Sequence, residues 1–468
     1  MKIRNPRTGQ YDYEITIPSP EAVKENCDRL RSHQQQWWAC GIDKRVDALQ
    51  QWKQAVEQHK EELITALCTD TGRKWETLLE TELVSTAVDR WCGIAKDFFM
   101  PVQKKSSSIP FLSLQQELVP FPLVGVISPW NFPLLLSLID TIPALLAGCA
   151  VIVKPSEVTP RFIRVMEKTI AAVPELSNVL KYAEGDGIVG AALVNNCDLV
   201  CFTGSTATGK KVYDAASKRM IPVFLELGGK DPAIVLEGAD IHLAASSILW
   251  GSTANAGQSC LSIERVYVQD TLFDAFTTAL VKQAAMLQLN AHDINQGQIG
   301  PLIFEKQAQI INDHLQDALN KGATILYGDS QCSVINGGYY CRPTVLINVN
   351  HQMKLMQEET FGPIIPVMKF TTKEEAIRLA NDTIYGLSGA VFAGSVDEAM
   401  EVARQVEGGA ISINDCALTA VMHEGEKNSF KLSGIGGTRM GPSAIKRFMR
   451  QKVFIIKDEG KPSPWWYQ

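Results

Sequence analysis

The sequence predicts an α/β protein built from two mostly parallel sheets. From about residue 121, short apolar runs alternate with helical segments, which is typical of βαβ units. The candidate strands of this first series lie at 123–127, 150–153, 179–182, 199–202 and 233–236. A second series follows position 227, with candidate strands at 265–268, 324–327, 364–369, 389–392 and 410–413. Two series of strands indicate two α/β units.

The segment before this alternation is predicted to be helical. Apolar residues recur at three- and four-residue spacing within 21–36, 44–57 and 61–69, so each helix has one face suited to packing on a sheet. Two other segments, 105–120 and 448–468, look like strands without a helix of their own. Because exposed strands need pairing, most simply with a second subunit, we expect a homodimer or a homotetramer. The aromatic end of the chain is expected to cover an apolar surface.

The composition is that of a folded globular protein. The chain has 468 residues, of which 46% are hydrophobic and 21% charged, so one core is expected to split into domains. The net charge of −6 and the absence of a lysine or arginine block argue against a nucleic-acid partner. The first fifteen residues contain no apolar segment typical of a secretory signal. The longest apolar stretch, 133–153, is interrupted by Asp140 and Pro143, so no transmembrane span is predicted.

The cysteines are scattered along the chain. Eleven of them occur in 468 residues without a CxxC pair, which favours reduced thiols in the cytoplasm over a disulfide scaffold. No metal site is predicted.

Cys260 is the first candidate for chemistry. It follows the helical run 243–253 and stands in Asn255-Ala-Gly-Gln-Ser-Cys260, where small neighbours would leave the sulfur accessible. A lone cysteine is more often an inert part of the core. The interpretation therefore depends on which residues accompany it.

Two polar residues near predicted strand ends are candidates to accompany Cys260. Glu226 stands between two leucines and ahead of Gly-Gly-Lys230, so it is either the ion-pair partner of Lys230 or a general base. Asn131 stands between Pro129 and Pro133. It is either a turn asparagine or an amide that donates to a developing oxyanion.

Two glycine loops are candidates for a phosphate site. Residues 185–190 spell GxGxxG, but no acidic residue follows about twenty positions later, where a dinucleotide site would have one. Residues 204–211 follow a predicted strand and open a helix, and a helix N-terminus suits a pyrophosphate. This loop nearly spells a Walker A motif, but Lys211 stands where an NTPase needs serine or threonine.

Taken together, six segments in this order resemble the aldehyde dehydrogenase superfamily, and the resemblance covers about positions 20 to 455. The segments are Ser-Pro-Trp-Asn131-Phe-Pro, Lys-Pro-Ser-Glu157, Phe-Thr-Gly-Ser205, Leu-Glu226-Leu-Gly-Gly-Lys, Gly-Gln-Ser-Cys260 and Glu358-Glu-Thr-Phe-Gly-Pro363. The resemblance implies a Rossmann-type cofactor domain at 1–104 and 121–227 and an α/β catalytic domain at 228–432. It also implies a small β oligomerisation arm at 105–120 and 448–468.

The resemblance implies an NAD(P)-dependent oxidation of an aldehyde to its acid. Cys260 would attack the aldehyde, Asn131 and the Cys260 N–H would hold the oxyanion of the thiohemiacetal, and Glu226 would activate the water that hydrolyses the thioester. Relatives that pass the acyl group to coenzyme A resemble this pattern without the glutamate, so hydrolysis is favoured. A coenzyme-A-acylating enzyme is one alternative. A catalytically silent structural relative is another, although Cys260, Glu226 and Asn131 are all intact.

The cofactor implied is NAD, with NADP as an alternative. A carboxylate at Glu157, near the 2′ position of the adenosine ribose, would repel the 2′-phosphate of NADP. For Phe361 the alternative to contact with the nicotinamide ring is ordinary core packing. The resemblance assigns the cofactor to Trp130, Lys154, Glu157, Gly204, Ser205, Glu359 and Phe361.

The substrate implied is a medium to long, apolar aldehyde, either an alkanal or one derived from an isoprenoid. In relatives the helix after the asparagine lines the aldehyde tunnel, and its inward candidates in this chain are the apolar residues Phe132, Leu136 and Ile139. Ser259 and Leu261, which flank Cys260, add no charge. A broadly acting detoxifying enzyme is the alternative.

Two other substrate classes are disfavoured. Relatives that accept trimethylammonium aldehydes use aromatic cages, which Leu136 and Ile139 do not supply. A semialdehyde with a distal carboxylate needs a cation, and Lys431 is the candidate. Lys431 lies in the loop 414–434, which lacks the family's common Pro-Phe-Gly-Gly.

Overall fold

The computed structural model describes residues 1–99, 104–457, 460 and 463–467. Its α-helices are α1 Pro20–Ala39, α2 Ile42–Gln58, α3 Lys60–Thr71, α4 Trp75–Phe98, α5 Pro133–Leu138, α6 Thr141–Leu146, α7 Phe162–Ala171, α8 Pro174–Ser177, α9 Gly187–Asn196, α10 Thr206–Ser217, α11 Ile241–Thr253, α12 Phe273–Ala284, α13 Lys306–Asn320, α14 Lys354–Gln357, α15 Lys373–Asn381 and α16 Val396–Ala403.

The strands group into two large sheets and several smaller ones. They are β1 Lys2–Arg4, β2 Tyr11–Glu14, β3 Lys105–Ser106, β4 Leu112–Pro120, β5 Leu123–Ile127, β6 Ala150–Lys154, β7 Leu180–Tyr182, β8 Leu199–Thr203, β9 Val223–Glu226, β10 Asp231–Val235, β11 Ile263–Gln269, β12 Thr324–Tyr327, β13 Ser333–Ile335, β14 Gly338–Tyr340, β15 Thr344–Ile347, β16 Ile364–Phe370, β17 Tyr385–Gly386, β18 Ser388–Phe392, β19 Ala410–Ile413, β20 Phe430–Lys431, β21 Gly434–Ile435 and β22 Met449–Lys457.

The first large sheet has the strand order β21-β9-β8-β5-β6-β7. All its pairings are parallel except that of β21 with β9, where Gly434 lies opposite Glu226. Every residue of β5, β6 and β8 is buried, because helices pack over the sheet, and this explains the continuous apolar runs in the sequence. The predicted strands 123–127, 150–153, 179–182 and 199–202 are confirmed within a residue at their ends.

The second large sheet has the order β12-β15-β16-β11-β10-β18-β19 and is parallel except for β12. The predicted strand 233–236 belongs here, as β10 beside the central strand β11. Alternate residues of β10 enter two cores, because successive side chains of a strand point to opposite faces. Ala233 and Val235 pack with α11 and α12, whereas Ile234 packs with α13, α15 and α16. These features confirm the predicted α/β class.

The C-terminal part of the chain packs with the first large sheet. After β21, residues Ala444, Ile445 and Phe448 join the hydrophobic core of the first sheet. The segment between the predicted catalytic domain and the predicted arm therefore packs with the first unit. The predicted domain boundaries stay a prediction, and residues 100–103, which fall in the predicted cofactor domain, lie outside the described residues.

The two segments predicted as strands without helices pair with each other. β4 and β22 are antiparallel over nine residue pairs, from Pro120↔Met449 to Leu112↔Lys457. The β22 side chains of Val453 and Ile455 are 50% and 72% exposed. In the predicted tail Trp465 stacks on Phe111 with ring centroids 5.7 Å apart, while residues 458–459, 461–462 and 468 lie outside the described part of the chain.

The apolar stretch 133–153 folds as α5, α6 and β6. Asp140 in its middle is buried and accepts hydrogen bonds from Arg439, at 2.6 Å, and from Arg447. In the part of the chain that the structure describes, no helix combines the length and hydropathy needed to cross a membrane. The same part holds no group of three or more histidine, cysteine or carboxylate side chains arranged to bind a metal ion.

Candidate active site

Cys260 lies in a loop whose backbone is strained. α11 ends at Thr253, and Asn255 and Ala256 both adopt φ of 54°, a left-handed conformation that is costly for residues with a Cβ. Gly257 follows with φ of 72°, and a Cβ on it would lie 2.3 Å from the carbonyl carbon of Gly362. Only glycine fits there, so the Cys260 loop is held closely against the 360–363 segment. Cys260 itself is half-buried.

Asn131 is hydrogen-bonded to the same loop. Its buried Nδ2 donates to the carbonyl of Gln258 at 3.1 Å, and Asn255 Nδ2 donates in return to the carbonyl of Asn131 at 3.1 Å. Within the described residues, the second N–H of the Asn131 amide has no acceptor. The structure therefore brings Asn131 and the Cys260 loop together and leaves an amide donor free. The role of Asn131 stays a prediction.

The start of α4 fixes Asn131 through residues that the sequence reasoning missed. Arg73 Nη2 donates to the carbonyl of Asn131 at 2.8 Å, and its guanidinium lies 4.4 Å from the ring centre of Phe132. Arg73 is buried and paired with Glu80 at 3.2 Å. Burial raises the pKa of Glu80 to about 7.

Two further carboxylate contacts join α4 to neighbouring loops. Glu80 Oε1 accepts from the N–H of Leu135, and Glu76 Oε1 accepts from the N–H of Asn255 at 2.9 Å. The segment that begins at Arg73 and continues into α4 thus positions both asparagines of the site. The available sequence signal was the spacing of the two carboxylates Glu76 and Glu80 on one face of α4, shortly after Arg73.

Glu226 ends β9 and has two partners. Lys427 Nζ lies 3.1 Å from Glu226 Oε1, and Ser429 Oγ donates to Glu226 Oε2 at 3.1 Å. The ion pair with Lys230, one of the two alternatives for Glu226, is wrong. Lys230 lies beyond the Gly-Gly turn in the core of the second unit, where it pairs with Glu264 at 2.5 Å.

The turn that follows Glu226 packs on the candidate nucleophile. A Cβ on Gly229 would lie 2.5 Å from the carbonyl oxygen of Cys260, so the two backbones are in direct contact. Burial and the charge of Glu226 raise the pKa of Cys260 to about 12, and Lys427 opposes this rise. The thiol is therefore protonated at neutral pH, and a reaction that uses the thiolate needs a base.

The loop at Gly204 and Ser205 begins beside Glu226. The N–H of Gly204 donates to the carbonyl of Glu226 at 3.1 Å, and Ser205 Oγ accepts from the N–H of Thr208 at 3.3 Å, which caps α10. The first turn of α10 has further N–H groups without intrahelical partners, as an anion site requires. In the rival loop, Asp186 already caps α9 with its carboxylate, which would repel a phosphate.

Lys154 and Glu157 form an ion pair. Lys154 Nζ lies 3.1 Å from Glu157 Oε2. Lys154 is the last residue of β6, which pairs with β5, so it lies at the carboxyl edge of the sheet together with Trp130 and Gly204. This edge is where open α/β sheets bind ligands.

Trp130 and Phe361 come from different units and touch. Their ring centroids are 5.4 Å apart at an angle of 77°. Glu359, two residues earlier, accepts from the N–H of Gly229 at 3.1 Å, and burial raises its pKa to about 8. The predicted cofactor residues of both sheets therefore lie around one cleft. Their binding roles stay a prediction.

Glu264 holds the segment that carries Phe361, and sequence reasoning missed it. Its carboxylate accepts from the N–H groups of Thr360 at 2.7 Å and Phe361 at 2.8 Å, and from Lys230 Nζ. These bonds stabilise Phe361 at a φ of 52°. A glutamate next to an arginine inside the otherwise apolar strand β11 was the only signal.

The predicted tunnel residues share an open face. Phe132, Leu136 and Ile139 are half-buried, at helical spacing, while Leu134 and Leu138 on the same helix are buried. Ser259 and Leu261 are half-buried beside Cys260. A groove of about 540 Å³ is lined in part by Trp75, Glu76, Trp250 and Ala254.

Lys431 is not free to anchor a carboxylate in this region. Its ammonium pairs with Glu407 at 2.6 Å and donates to the carbonyls of Asn381 and Thr383. The lysine of this loop that reaches the site is Lys427.

These features define an α/β enzyme whose thiol, amide and carboxylate meet where two sheets face each other. Residues 1–454 match the model of the aldehyde dehydrogenase family, so the chain belongs to this family. The solved structure of "Putative Aldehyde Dehydrogenase PutA" from Anabaena variabilis is 56% identical, covers 100% of both chains and superposes with a TM-score of 0.98.

Two relatives whose names state a substrate have similar identity to this chain. "Putative succinate-semialdehyde dehydrogenase", an NADP(+) protein of Mycolicibacterium smegmatis, is 33% identical over 95% of this chain and 86% of its own length. The "4,4'-diapolycopene aldehyde oxidase" of Methylomonas sp is 33% identical over 92% of this chain and 81% of its own length.

Proposed function

We propose that this protein oxidises aldehydes to carboxylic acids with NAD(P)⁺ through a thioester on Cys260. The observation that carries the proposal is the convergence of three segments. The Cys260 loop is hydrogen-bonded to Asn131 and packed against the turn after Glu226. A nucleophile, an oxyanion donor and a base are thereby held in one cleft.

The reaction begins when the Cys260 thiol loses its proton to solvent. The thiolate attacks the carbonyl carbon, and the free N–H of the Asn131 amide, with the Cys260 N–H, donates to the resulting oxyanion. When bound, NAD(P)⁺ would supply the acceptor for the hydride that leaves this carbon. Glu226 then takes a proton from a water molecule that attacks the thioester, and the carbon–sulfur bond breaks. The departing Cys260 thiolate takes this proton from Glu226, so the acid leaves with the thiol and the carboxylate both restored.

The described residues fit a dinucleotide. The N-terminus of α10 at Ser205 suits the pyrophosphate, since the first-turn N–H groups other than that of Thr208 have no intrahelical partner. Lys154 and Glu157 would hold the adenosine ribose, Glu359 the second ribose, and Trp130 and Phe361 would line the cleft. The carboxylate of Glu157 disfavours a 2′-phosphate, so NAD is proposed as the preferred cofactor and NADP as the weaker one.

The proposed substrates are medium to long apolar aldehydes. The open face of Phe132, Leu136 and Ile139 carries no charge, and each buried methylene would contribute about 0.8 kcal/mol to binding. The diapolycopene relative supports an apolar substrate. The semialdehyde relative favours the competing class, a substrate with a distal carboxylate.

A substrate series tests this choice. We expect kcat/KM to rise from propanal to decanal and to exceed that for succinic semialdehyde and betaine aldehyde. Leu136→Asn should lower the value for decanal more than for propanal, whereas Leu243→Asn, an exposed leucine on α11, should change neither. A flat or falling series, or preference for a charged aldehyde, contradicts the apolar substrate. Acyl-coenzyme A formed when coenzyme A is added would instead support the acylating alternative, and no turnover with any aldehyde would support the silent one.

Assembly and compartment belong to the same proposal. The exposed apolar residues of β22 support a homodimer or homotetramer formed through the β4–β22 arm. All eleven cysteines are free thiols, which supports a reducing compartment such as the cytoplasm.

A further inference from the structure

The loop 414–434, which departs from the family's sequence pattern, places the ammonium group of Lys427 in the catalytic cleft. Lys427 Nζ lies 3.1 Å from Glu226 Oε1, and the two side chains are only 9% and 19% exposed. The backbone of the loop is fixed there, because the N–H of Lys427 donates to Thr438 Oγ1 at 3.0 Å. Lys427 is therefore a largely buried residue of the cleft with a fixed backbone, and not an exposed surface lysine.

Carboxyl groups from several elements surround the thiol. The ionisable groups that act on the Cys260 thiol are Glu226 from β9, Asp231 from β10, Glu359 from the segment after α14, and Lys427. Of these four groups, the three carboxyls oppose a negative charge on sulfur and Lys427 favours it. Arg439, whose charge also acts on Glu226, is paired with Asp140 at 2.6 Å. A thiolate and an ionised Glu226 are hard to hold side by side without a cation between them.

We propose that Lys427 is a positioning residue that pairs with Glu226 and so allows the Cys260 thiolate and the Glu226 carboxylate to be charged at the same time. This inference rests on the proposed function, in which Cys260 attacks and Glu226 is the base. Lys427 needs no contact with substrate or cofactor for this role. It acts through its charge and through the carboxylate that it holds.

The test measures alkylation of Cys260 by iodoacetamide as a function of pH, without aldehyde or cofactor, by mass spectrometry of the Cys260 peptide. Lys427→Met should move the pH profile upward by about one unit, which is about tenfold slower alkylation at a fixed pH. Lys427→Arg should restore the parent profile, because the charge returns. Glu226→Gln should move the profile downward, since it removes the neighbouring negative charge.

Lys431→Met is the matched control. It removes a lysine of the same loop that pairs with Glu407 and not with Glu226, so the alkylation profile should stay that of the parent. An unchanged profile in Lys427→Met, or an equal shift in Lys431→Met, overturns the proposal. Should Lys427→Met fail to fold by circular dichroism, Lys427→Gln is read in the same way. Because alkylation needs no turnover, this result is separate from the one that decides whether the protein oxidises aldehydes.

Discussion

The N–H of Gly204 donates a 3.1 Å hydrogen bond to the carbonyl oxygen of Glu226. This bond extends the parallel pairing of β8 with β9, in which Thr203 lies opposite Glu226. The first residue of the proposed pyrophosphate loop and the proposed base are therefore neighbours in one sheet.

The identity of the nucleophile is the first prediction. Cys260→Ala should abolish NADH production, because loss of the covalent path leaves no route to the thioester. Cys332→Ala, which changes another half-buried cysteine outside the cleft, should keep parental activity. Absorbance at 340 nm with decanal and NAD⁺ checks both variants. Substantial turnover by a folded Cys260→Ala protein would refute the assignment.

The cofactor preference is the second prediction. Glu157→Gln should raise kcat/KM for NADP⁺ relative to NAD⁺ by about tenfold, because the carboxylate that repels a 2′-phosphate is gone. Initial rates with each nucleotide measure the ratio. Glu175→Gln, at an exposed position in α8, is the control and should leave it unchanged. If the ratio is the same in Glu157→Gln and the control, Glu157 does not lie near the 2′ position.

The third prediction concerns stability. Glu264→Gln should lower the free energy of unfolding by about 3–5 kcal/mol, since the buried ammonium of Lys230 loses its countercharge. Urea unfolding followed by circular dichroism measures the change. Asp28→Asn removes an exposed carboxylate from its pair with Lys24 and should leave the unfolding midpoint in place. Equal effects in the two variants would show that the buried pair does not stabilise the fold in this way.

The fourth prediction concerns assembly. Light scattering should give the mass of a dimer or tetramer, and Ile455→Glu should reduce it by placing a charge on the exposed face of β22. Val334→Glu places the same charge on an exposed apolar residue elsewhere, in the β13–β14 hairpin, and should preserve the parental mass. A parental protein that is monomeric at all concentrations would contradict the proposed arm interface.

The sheets could be predicted from the sequence because their strands are buried on both faces. Such strands appear as apolar runs, and the one at 123–127 begins and ends where predicted. β15 was not anticipated, since four residues flanked by prolines and asparagines give a weak pattern. The contact between the Cys260 loop and Asn131 could not be predicted from local sequence patterns, because the two segments are far apart in the chain.

Charged residues that hold the site were the hardest to predict. Arg73 and Glu264 form hydrogen bonds with backbone groups of segments that are distant in the chain. The residues that flank Arg73 and Glu264 in the sequence do not indicate these partners. Lys427 lies 201 positions after Glu226, in a loop where the family pattern gives no guide. Lys230 was the nearby candidate for an ion pair with Glu226, but the Gly-Gly turn separates the two side chains.

The most direct test of the central claim is to trap the acyl group. In Glu226→Gln, proton transfer to the base that activates water is lost, so one equivalent of NADH should form in a burst before a slow phase. Acid quench after the burst, followed by mass spectrometry, should show the mass of the acyl group on the Cys260 peptide and nowhere else, and Cys260→Ala should show neither burst nor adduct. A Glu226→Gln protein with the parental steady-state rate and no acyl group on Cys260 would contradict the thioester mechanism.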